Sequence, residues 1–271
     1  MSNWSEGQVY TNRVNLHYYR TGGDKPPVVL LHGFTDSGLC WTRVARDLEQ
    51  DYDVVMFDAR GHGLSDGGPV ADYSSGSMTE DTANIIQTLK LEHPFLLGHS
   101  MGAATTAQVA ASHPDLVRAI ALEDPPWHDF TQQRATTLGG NKAFSFEEWI
   151  TGLKTQTREE IIAGGKKSNP SWSEEELGPW ADSKEQLNMD VFKSGRHLEP
   201  WREIIPRITC PTLLITADPA RGAIVSPEDV REIEHTWHNG KVLHIDEAGH
   251  NIRREQYVTY IAAIKSFFNE H

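Results

Sequence analysis

Residues 98–102, Gly-His-Ser-Met-Gly, place a serine between two glycines. The apolar run 94–97 precedes them and the helix-like run 103–112 follows them. A Gly-x-Ser-x-Gly sequence between a strand and a helix forms a sharp turn that holds the serine hydroxyl out over the sheet. Glycine is needed there because a side chain would collide with the neighbouring strand and helix. Ser100 is therefore the candidate nucleophile.

A second turn could hold the negative charge that develops on a substrate oxygen. His32-Gly33-Phe34 directly follows the apolar run 28–31. In an acyl-transfer enzyme, the backbone N–H groups of Phe34 and of Met101 could bind the oxygen of a tetrahedral intermediate. Phe34 and Met101 are the candidate oxyanion-hole residues. Without Ser100 nearby, the His32-Gly33 pair would be read as an ordinary turn.

A serine hydroxyl attacks well only when a base accepts its proton, and that base is usually a histidine oriented by a carboxylate. Of the 13 histidines, His250 has the most suitable place. It follows the last strand-like run, on a loop that we expect at the same sheet edge as Ser100. His250 is therefore the candidate general base.

Short apolar runs alternate with helix-like segments along the first half of the chain. Such runs predict strands buried on both faces, and apolar residues at helical spacing predict helices between them. The alternation predicts an α/β fold with a mostly parallel sheet and helices on both faces. The predicted strands are 8–11, 14–20, 28–31, 54–57, 95–97 and 119–122, and the predicted helices are 41–48, 78–89 and 103–111.

The strand signal stops after residue 122 and resumes at 212–216 and 241–245. Five tryptophans fall among helix-forming stretches in the intervening segment. A helix between the two late strands should begin at Ser226, with Pro227 in its first turn and Asp229 completing a capping box. The last helix is predicted at 254–268. We expect a core of residues 1–124 and 203–271, interrupted by a helical cap over residues 125–202.

Composition narrows the range of functions. Lysine and arginine number 25 and aspartate and glutamate 38, so the formal charge is 25 − 38 = −13, which argues against nucleic acid or an anionic membrane as a partner. Cys40 and Cys210 are too few for a disulfide framework and predict two buried thiols. The sequence shows no membrane-spanning run and no secretory signal, which predicts a cytoplasmic protein. It also shows no metal-ligand spacing and no phosphate loop, so no cofactor is expected.

The motifs together resemble the α/β-hydrolase fold superfamily. The resemblance covers essentially the whole chain and rests on 32–34, 58–63, 98–102 and 249–250, which stand in the family's order and spacing. It implies Ser100 as nucleophile, His250 as general base, Phe34 and Met101 as oxyanion donors, and a cap near residues 125–202. The motifs are highly specific for the fold and much less specific for the substrate.

The acid departs from the common pattern of that superfamily. Most members carry it in the turn after the penultimate strand, where counting back three from Val225 gives Gly222, which has no carboxylate. Asp218 lies in the same turn, and Asp124 occupies the alternative position seen in some branches, after the strand 119–122. We favour Asp124 over Asp218. Glu123 is a distant third choice because adjacent strand residues point to opposite sides.

The resemblance and the motifs predict a cofactor-independent serine hydrolase that cleaves a carboxylic ester or lactone through an acyl-enzyme. Trp127, next to Asp124, is the cap tryptophan expected to face the pocket, which suits a small apolar substrate. Alternatives are a C–C bond hydrolase or perhydrolase with the same triad, and a ligand receptor with little turnover. Dehalogenase or epoxide hydrolase chemistry is disfavoured, because those branches have an aspartate at the position of Ser100. The sequence leaves homodimer formation open.

Overall fold

A computed structural model describes residues 4–67, 73–127, 145–193, 199–237 and 239–271. Strands and helices alternate through most of this chain. The strands are β1 (Ser5–Thr11), β2 (Val14–Arg20), β3 (Pro27–Leu31), β4 (Asp53–Phe57), β5 (Phe95–His99), β6 (Ala119–Glu123), β7 (Thr212–Thr216) and β8 (Gly240–His244). The helices are α1 (Thr42–Leu48), α2 (Ser75–Thr88), α3 (Met101–Ser112), α4 (Phe146–Leu153), α5 (Arg158–Ser168), α6 (Glu174–Gln186), α7 (Trp201–Ile204), α8 (Pro227–Thr236), α9 (Ile252–Glu255) and α10 (Tyr257–Glu270).

The eight strands form one sheet in the order β1-β2-β4-β3-β5-β6-β7-β8. β1 and β2 form an antiparallel hairpin, and β2 pairs antiparallel with β4, whereas all the other neighbours are parallel. The predicted α/β fold with a mostly parallel sheet is confirmed. The strands predicted at 8–11 and 14–20 form this hairpin, although β1 begins at Ser5 because Ser5 pairs with Arg20.

The sheet is buried on both faces, as its continuous apolar strands predict. All five residues of each of β4, β5, β6 and β7 are buried. Successive residues alternate between two core clusters, so Val29 and Leu31 pack on one face while Val28 and Leu30 pack on the other. One cluster includes side chains from α2, α3 and α8, and the other includes side chains from α1 and α10.

The parallel strands bring several loops to one edge of the sheet. β3, β5, β6, β7 and β8 run in the same direction. Their carboxyl ends therefore meet, which is where open α/β sheets place their ligands. The loop after each of these strands carries one of the residues singled out from the sequence, namely Phe34, Ser100, Asp124, Asp218 and His250.

The described residues between β6 and β7 contain helices α4 to α7 and no strand, as a helical cap insertion requires. The exact division into core and cap stays a prediction. Helix α6 approaches helix α1 of the core, where Glu175 pairs with Arg46 and Glu176 with Arg43. These ion pairs fix the cap helix beside the end of the sheet that carries the loops.

Local signals explain where the helices begin and end. The Ser226 hydroxyl accepts from the backbone N–H of Asp229, whose carboxylate accepts from the backbone N–H of Ser226, so the predicted capping box is confirmed. α2 begins three residues before its predicted start because Ser74 caps it. The predicted last helix is two helices, since the backbone of Gln256 leaves the helical region.

Both cysteines are free and buried, as expected from their number. None of the helices in the described ranges combines the length and apolar character that crossing a membrane would require.

Candidate active site

Ser100 lies at a sharp turn between β5 and α3. Its backbone has φ 52° and ψ −116°, a conformation that costs free energy for any residue with a side chain. The two glycines of the motif make the turn feasible. A Cβ on Gly98 would lie 2.3 Å from the Gly102 carbonyl oxygen, and one on Gly102 would lie 2.1 Å from the Leu31 carbonyl oxygen. The sequence therefore dictates a strained serine at the carboxyl end of the central strand.

The carboxylate of Asp124 orients the imidazole of His250. Asp124 Oδ2 lies 2.6 Å from His250 Nδ1, and the carboxylate is fully buried. Its oxygens also accept backbone N–H bonds from Ile224, at 2.8 and 3.0 Å, and from Val225, at 3.0 Å. The His250 ring is 29% exposed. Because Asp124 engages Nδ1, Nε2 is the ring nitrogen left to exchange a proton.

The other two carboxylates have different partners. Glu123 accepts from the backbone N–H and the guanidinium of Arg253, at 3.0 and 3.2 Å, and burial raises the pKa of its carboxyl. Asp218 accepts from the backbone N–H of Glu247, at 2.9 Å, and contacts His244 Nε2 at 3.0 Å. These bonds lower the pKa of Asp218. Of the three candidates, only Asp124 is paired with His250.

His99, the residue before the serine, supports the loop that carries the base. Its Nε2 lies 2.9 Å from the backbone carbonyl oxygen of His250, to which it donates. Its Nδ1 is buried and has no hydrogen-bond partner among the described residues. Burial, together with the nearby Arg253, lowers the pKa of His99 well below its usual value, so the ring is neutral. A motif residue without a sequence-based role thus links the strand end that carries Ser100 to the backbone of His250.

The predicted oxyanion residues lie on two backbone segments next to Ser100. Met101 is the first residue of α3, and the first N–H groups of a helix have no partner within it. Phe34 lies in a turn closed by a bond from the Asp36 N–H to the Gly33 carbonyl oxygen, at 3.1 Å. A Cβ on Gly33 would lie 3.4 Å from the Ser100 Cβ. The turn therefore packs directly against the nucleophile.

The loop after β4 is held in place by a buried carboxylate. The buried Asp58 carboxylate accepts from the backbone N–H groups of Gly38, at 2.7 Å, and Leu64, at 2.9 Å. A Cβ on Gly63, whose φ is 52°, would lie 2.2 Å from the Asp58 carboxyl carbon. Asp58 therefore ties the segment after the oxyanion turn to its own loop.

Aromatic side chains surround Phe34 between the core and the cap. Its ring makes edge contacts with His62, Phe146 and Phe192, at centroid distances of 5.7, 5.5 and 5.4 Å. Phe34 also belongs to an apolar cluster that contains Met101. Apolar side chains from both the core and the cap thus pack around Phe34, next to the candidate oxyanion hole.

Trp127 is 3% exposed and stacks on Trp201, with ring centroids 6.2 Å apart. Both belong to the apolar core cluster that packs on one face of the sheet. This packing accounts for a large apolar side chain at residue 127. Contact between Trp127 and a substrate stays a prediction.

One group in the described ranges has the donor set of a metal site. Asp218, His244 and Asp246 bring ligand atoms within 4.8 Å of one another. The His244 ring is 44% exposed and the Asp246 carboxylate 90% exposed. The imidazole is already engaged, by Asp218 at Nε2 and by the Thr216 hydroxyl at Nδ1. Nothing ties this surface group to the chemistry of Ser100.

Sequence reasoning missed a buried ionic cluster behind the site. Asp36 accepts from Lys184 of α6 on one oxygen, at 3.0 Å, and from Arg253 and Arg254 on the other, at 3.2 and 2.9 Å. Burial alone would raise the pKa of Asp36, but the three cations hold it well below its usual range. The only sequence signal was an aspartate two residues after Phe34, since its partners are more than 140 residues away.

Comparison with known proteins agrees with the fold. A family model described as the alpha/beta hydrolase fold matches residues 26–140. This match and the observed sheet topology support a place in the α/β-hydrolase superfamily.

Similar proteins include a hydrolase that matches over nearly the whole chain and another that matches over less than half of it. The chain is 27% identical to an N-formylmaleamate deformylase of Pseudomonas putida over 266 residues, covering 97% of this chain and 96% of that protein. It is 34% identical to a 2-(acetamidomethylene)succinate hydrolase of Mesorhizobium japonicum, over 43% of this chain and 41% of that protein. The crystal structure of the deformylase from Pseudomonas putida S16 superimposes with a TM-score of 0.78 at 24% identity, covering 96% of this chain and all of that one. The two sequence relatives support a hydrolase, and the structural likeness supports the fold.

Proposed function

We propose that this protein is a serine hydrolase that cleaves a carboxylic ester or lactone through an acyl-enzyme on Ser100. The observation that carries the proposal is the buried Asp124 carboxylate, held by two backbone N–H groups and 2.6 Å from His250 Nδ1. A carboxylate in this position fixes the imidazole tautomer and stabilises the imidazolium that forms.

The reaction follows from these roles. Ser100 Oγ attacks the substrate carbonyl carbon while His250 Nε2 takes its proton. The backbone N–H groups of Phe34 and Met101 stabilise the oxyanion. His250 then protonates the leaving alkoxide, and the acyl-enzyme forms. Water activated by His250 hydrolyses it, which releases the acid and restores Ser100.

The apolar surroundings of Phe34 favour a small apolar substrate. Phe146 and Phe192 place aromatic edges against Phe34, and pockets with such walls gain affinity by removing apolar surface from water. We propose that these cap residues contact the acyl or alcohol part of the substrate.

The test combines labelling with turnover. A fluorophosphonate should label wild type at Ser100, and short p-nitrophenyl esters should be hydrolysed. We expect Ser100→Ala to abolish labelling and to lower kcat by at least about 1,000-fold. Turnover that survives in Ser100→Ala would overturn the mechanism, and labelling without turnover on any ester, lactone or N-acyl amide would favour a ligand receptor.

A second candidate is hydrolysis of an N-acyl amide. It is favoured by the full-length similarity to the N-formylmaleamate deformylase. The same groups suffice, because the imidazolium of His250 can protonate a leaving nitrogen as well as an oxygen. A substrate panel that pairs each ester with its matching N-acyl amide distinguishes the two, since kcat/KM should be higher for the preferred bond. C–C bond hydrolysis and perhydrolysis use the same triad and belong on that panel.

A further inference from the structure

Lys184 is a buried lysine that reaches from the cap helix α6 into the core. It is 1% exposed. Its Nζ donates to the Thr35 carbonyl oxygen at 2.8 Å, to the Thr35 hydroxyl at 3.1 Å and to Asp36 Oδ1 at 3.0 Å. An ammonium group has three N–H donors, so these three acceptors match its capacity. All of them lie in the two residues that follow Phe34.

The turn to which Lys184 donates these hydrogen bonds is strained. The bond from the Asp36 N–H to the Gly33 carbonyl oxygen closes a four-residue turn, and its third residue, Thr35, has φ 69°. A positive φ at this place is the mark of a type II turn, where glycine or asparagine is usual. Threonine is β-branched and rarely adopts this conformation. Contacts with residues outside the turn must therefore stabilise this conformation.

We propose that Lys184 is a positioning residue for the oxyanion hole. Its bonds to Thr35 and Asp36 hold the turn in the conformation that sets the direction of the Phe34 N–H beside Ser100. Because Lys184 belongs to α6, the geometry of the oxyanion hole then depends on how the cap packs against the core. This inference rests on the proposed hydrolase function.

The surroundings of Lys184 lead us to expect that the protein folds with a neutral residue at position 184. Asp36 keeps Arg253 and Arg254 on its second oxygen when the lysine is removed. With Glu123, the cluster has three cations and two anions, so a neutral residue at 184 leaves two of each. The Nζ atom lies 5.2 Å from the ring centre of Trp180, and a methionine thioether is well accommodated by aromatic neighbours.

The experiment compares Lys184→Met with a matched control, Lys154→Met. Lys154 follows α4 and donates to the backbone carbonyl of Glu185, next to Lys184, but does not reach the turn. For Lys184→Met we expect kcat on a p-nitrophenyl ester to fall by about 10- to 100-fold with KM within about threefold, because removing one oxyanion donor outright costs more. Lys154→Met should keep wild-type kinetics.

Two inhibitors separate the oxyanion hole from general damage to the site. An alkyl boronic acid forms a tetrahedral adduct with Ser100 and places an oxygen in the hole, whereas the carboxylic acid product binds without such an adduct. Lys184→Met should weaken boronic acid binding by about the same factor as it lowers kcat, and leave the affinity for the product unchanged. Wild-type kcat and boronic acid affinity in Lys184→Met would overturn the inference.

Glycine at position 35 supplies an internal check, because it adopts a positive φ without strain. In a Thr35→Gly background, Lys184→Met should lose clearly less kcat than it does in wild type. An equal loss in both backgrounds would show that the lysine does not act through the turn. If Lys184→Met does not fold, a folded and active double variant supports the inference, and an unfolded one overturns it. Failure of wild type to react with fluorophosphonate would instead refute the proposed function.

Discussion

Two aspartate–histidine pairs lie at the same edge of the sheet, and they differ in what surrounds them. Asp124 is fully buried and contacts His250 Nδ1 at 2.6 Å. Asp218 is 30% exposed and contacts His244 Nε2 at 3.0 Å. In the first pair, which we call the buried pair after its carboxylate, the residues follow β6 and β8. In the second, which we call the surface pair, the aspartate follows β7 and the histidine is the last residue of β8.

The difference lies in which ring nitrogen remains for chemistry. In the surface pair, the Thr216 hydroxyl contacts His244 Nδ1 at 3.2 Å, so both nitrogens are occupied. In the buried pair, Asp124 occupies only Nδ1 of His250, and the carboxylate is itself fixed by the N–H groups of Ile224 and Val225. A general base needs both a fixed orientation and an available nitrogen. Only the buried pair meets both conditions.

The largest expected difference between the pairs is in turnover. Asp124→Asn should lower kcat by about 1,000-fold or more, because an amide can favour the wrong imidazole tautomer and cannot stabilise the imidazolium. Asp218→Asn should leave kcat within about twofold, since its partner His244 is not in the site. The measurement is kcat on the best ester of the panel, with thermal unfolding as the control for folding. A large loss in Asp218→Asn with Asp124→Asn near wild type would reverse the assignment.

Two adjacent carboxylates at the carboxyl end of β6 provide a second comparison, because they contact different residues. Glu123 faces Arg253 while Asp124 faces His250. Glu123→Gln removes an anion from a buried cluster of three cations and two anions, and should lower the free energy of unfolding by about 3 kcal/mol. The effect on kcat should be much smaller than that of Asp124→Asn. Urea unfolding measures the loss of stability in each variant, and ester kinetics measure the loss of kcat. A Glu123→Gln variant that is stable but inactive would contradict the structural role of Glu123.

The parts of the site that the sequence predicted are those encoded by short motifs. The glycines around Ser100 and the turn before Phe34 act on their immediate neighbours, so local patterns are sufficient. The fold followed from apolar runs that alternate with helical spacing. The choice of acid was harder, because Asp218 and Asp124 both follow a buried strand, and the alternation of strand residues disfavoured only Glu123.

What the sequence could not predict depends on contacts between distant segments. Lys184 lies 149 residues from Thr35, and no local pattern marks such a pair. The same holds for Arg253 and Asp36, which are 217 residues apart. Each is a charged residue that composition would place on the surface, and only the packing of the cap and α9 against the sheet edge buries it.

A buried histidine should make stability depend on pH in a way that a surface one does not. Burial lowers the pKa of His99 well below its usual value, and burial also lowers that of His32. The unfolded chain then binds protons below about pH 6.5 that the folded protein does not, so stability falls as the pH drops, by up to about 1.4 kcal/mol per pH unit for each group.

The test is the urea midpoint of wild type and His99→Gln between pH 7.5 and 5.0. The variant should show a shallower loss of stability toward low pH, with the remaining slope due in part to His32. Because His99 Nε2 also donates to the His250 carbonyl, kcat should fall in the variant even at pH 7.5. Parallel pH profiles for the two proteins would show that His99 is protonated in the folded state.

The smallest expected effect concerns the backbone that holds Asp124. Ser226 caps α8 directly after Val225, whose N–H binds the Asp124 carboxylate. Ser226→Ala removes the cap and should lower the free energy of unfolding by about 1 kcal/mol. If Asp124 is held by the loop as a whole, kcat should stay within about twofold. A kcat loss as large as that of Asp124→Asn would mean that the helix cap, rather than burial, is what distinguishes the Asp124 pair from the Asp218 pair.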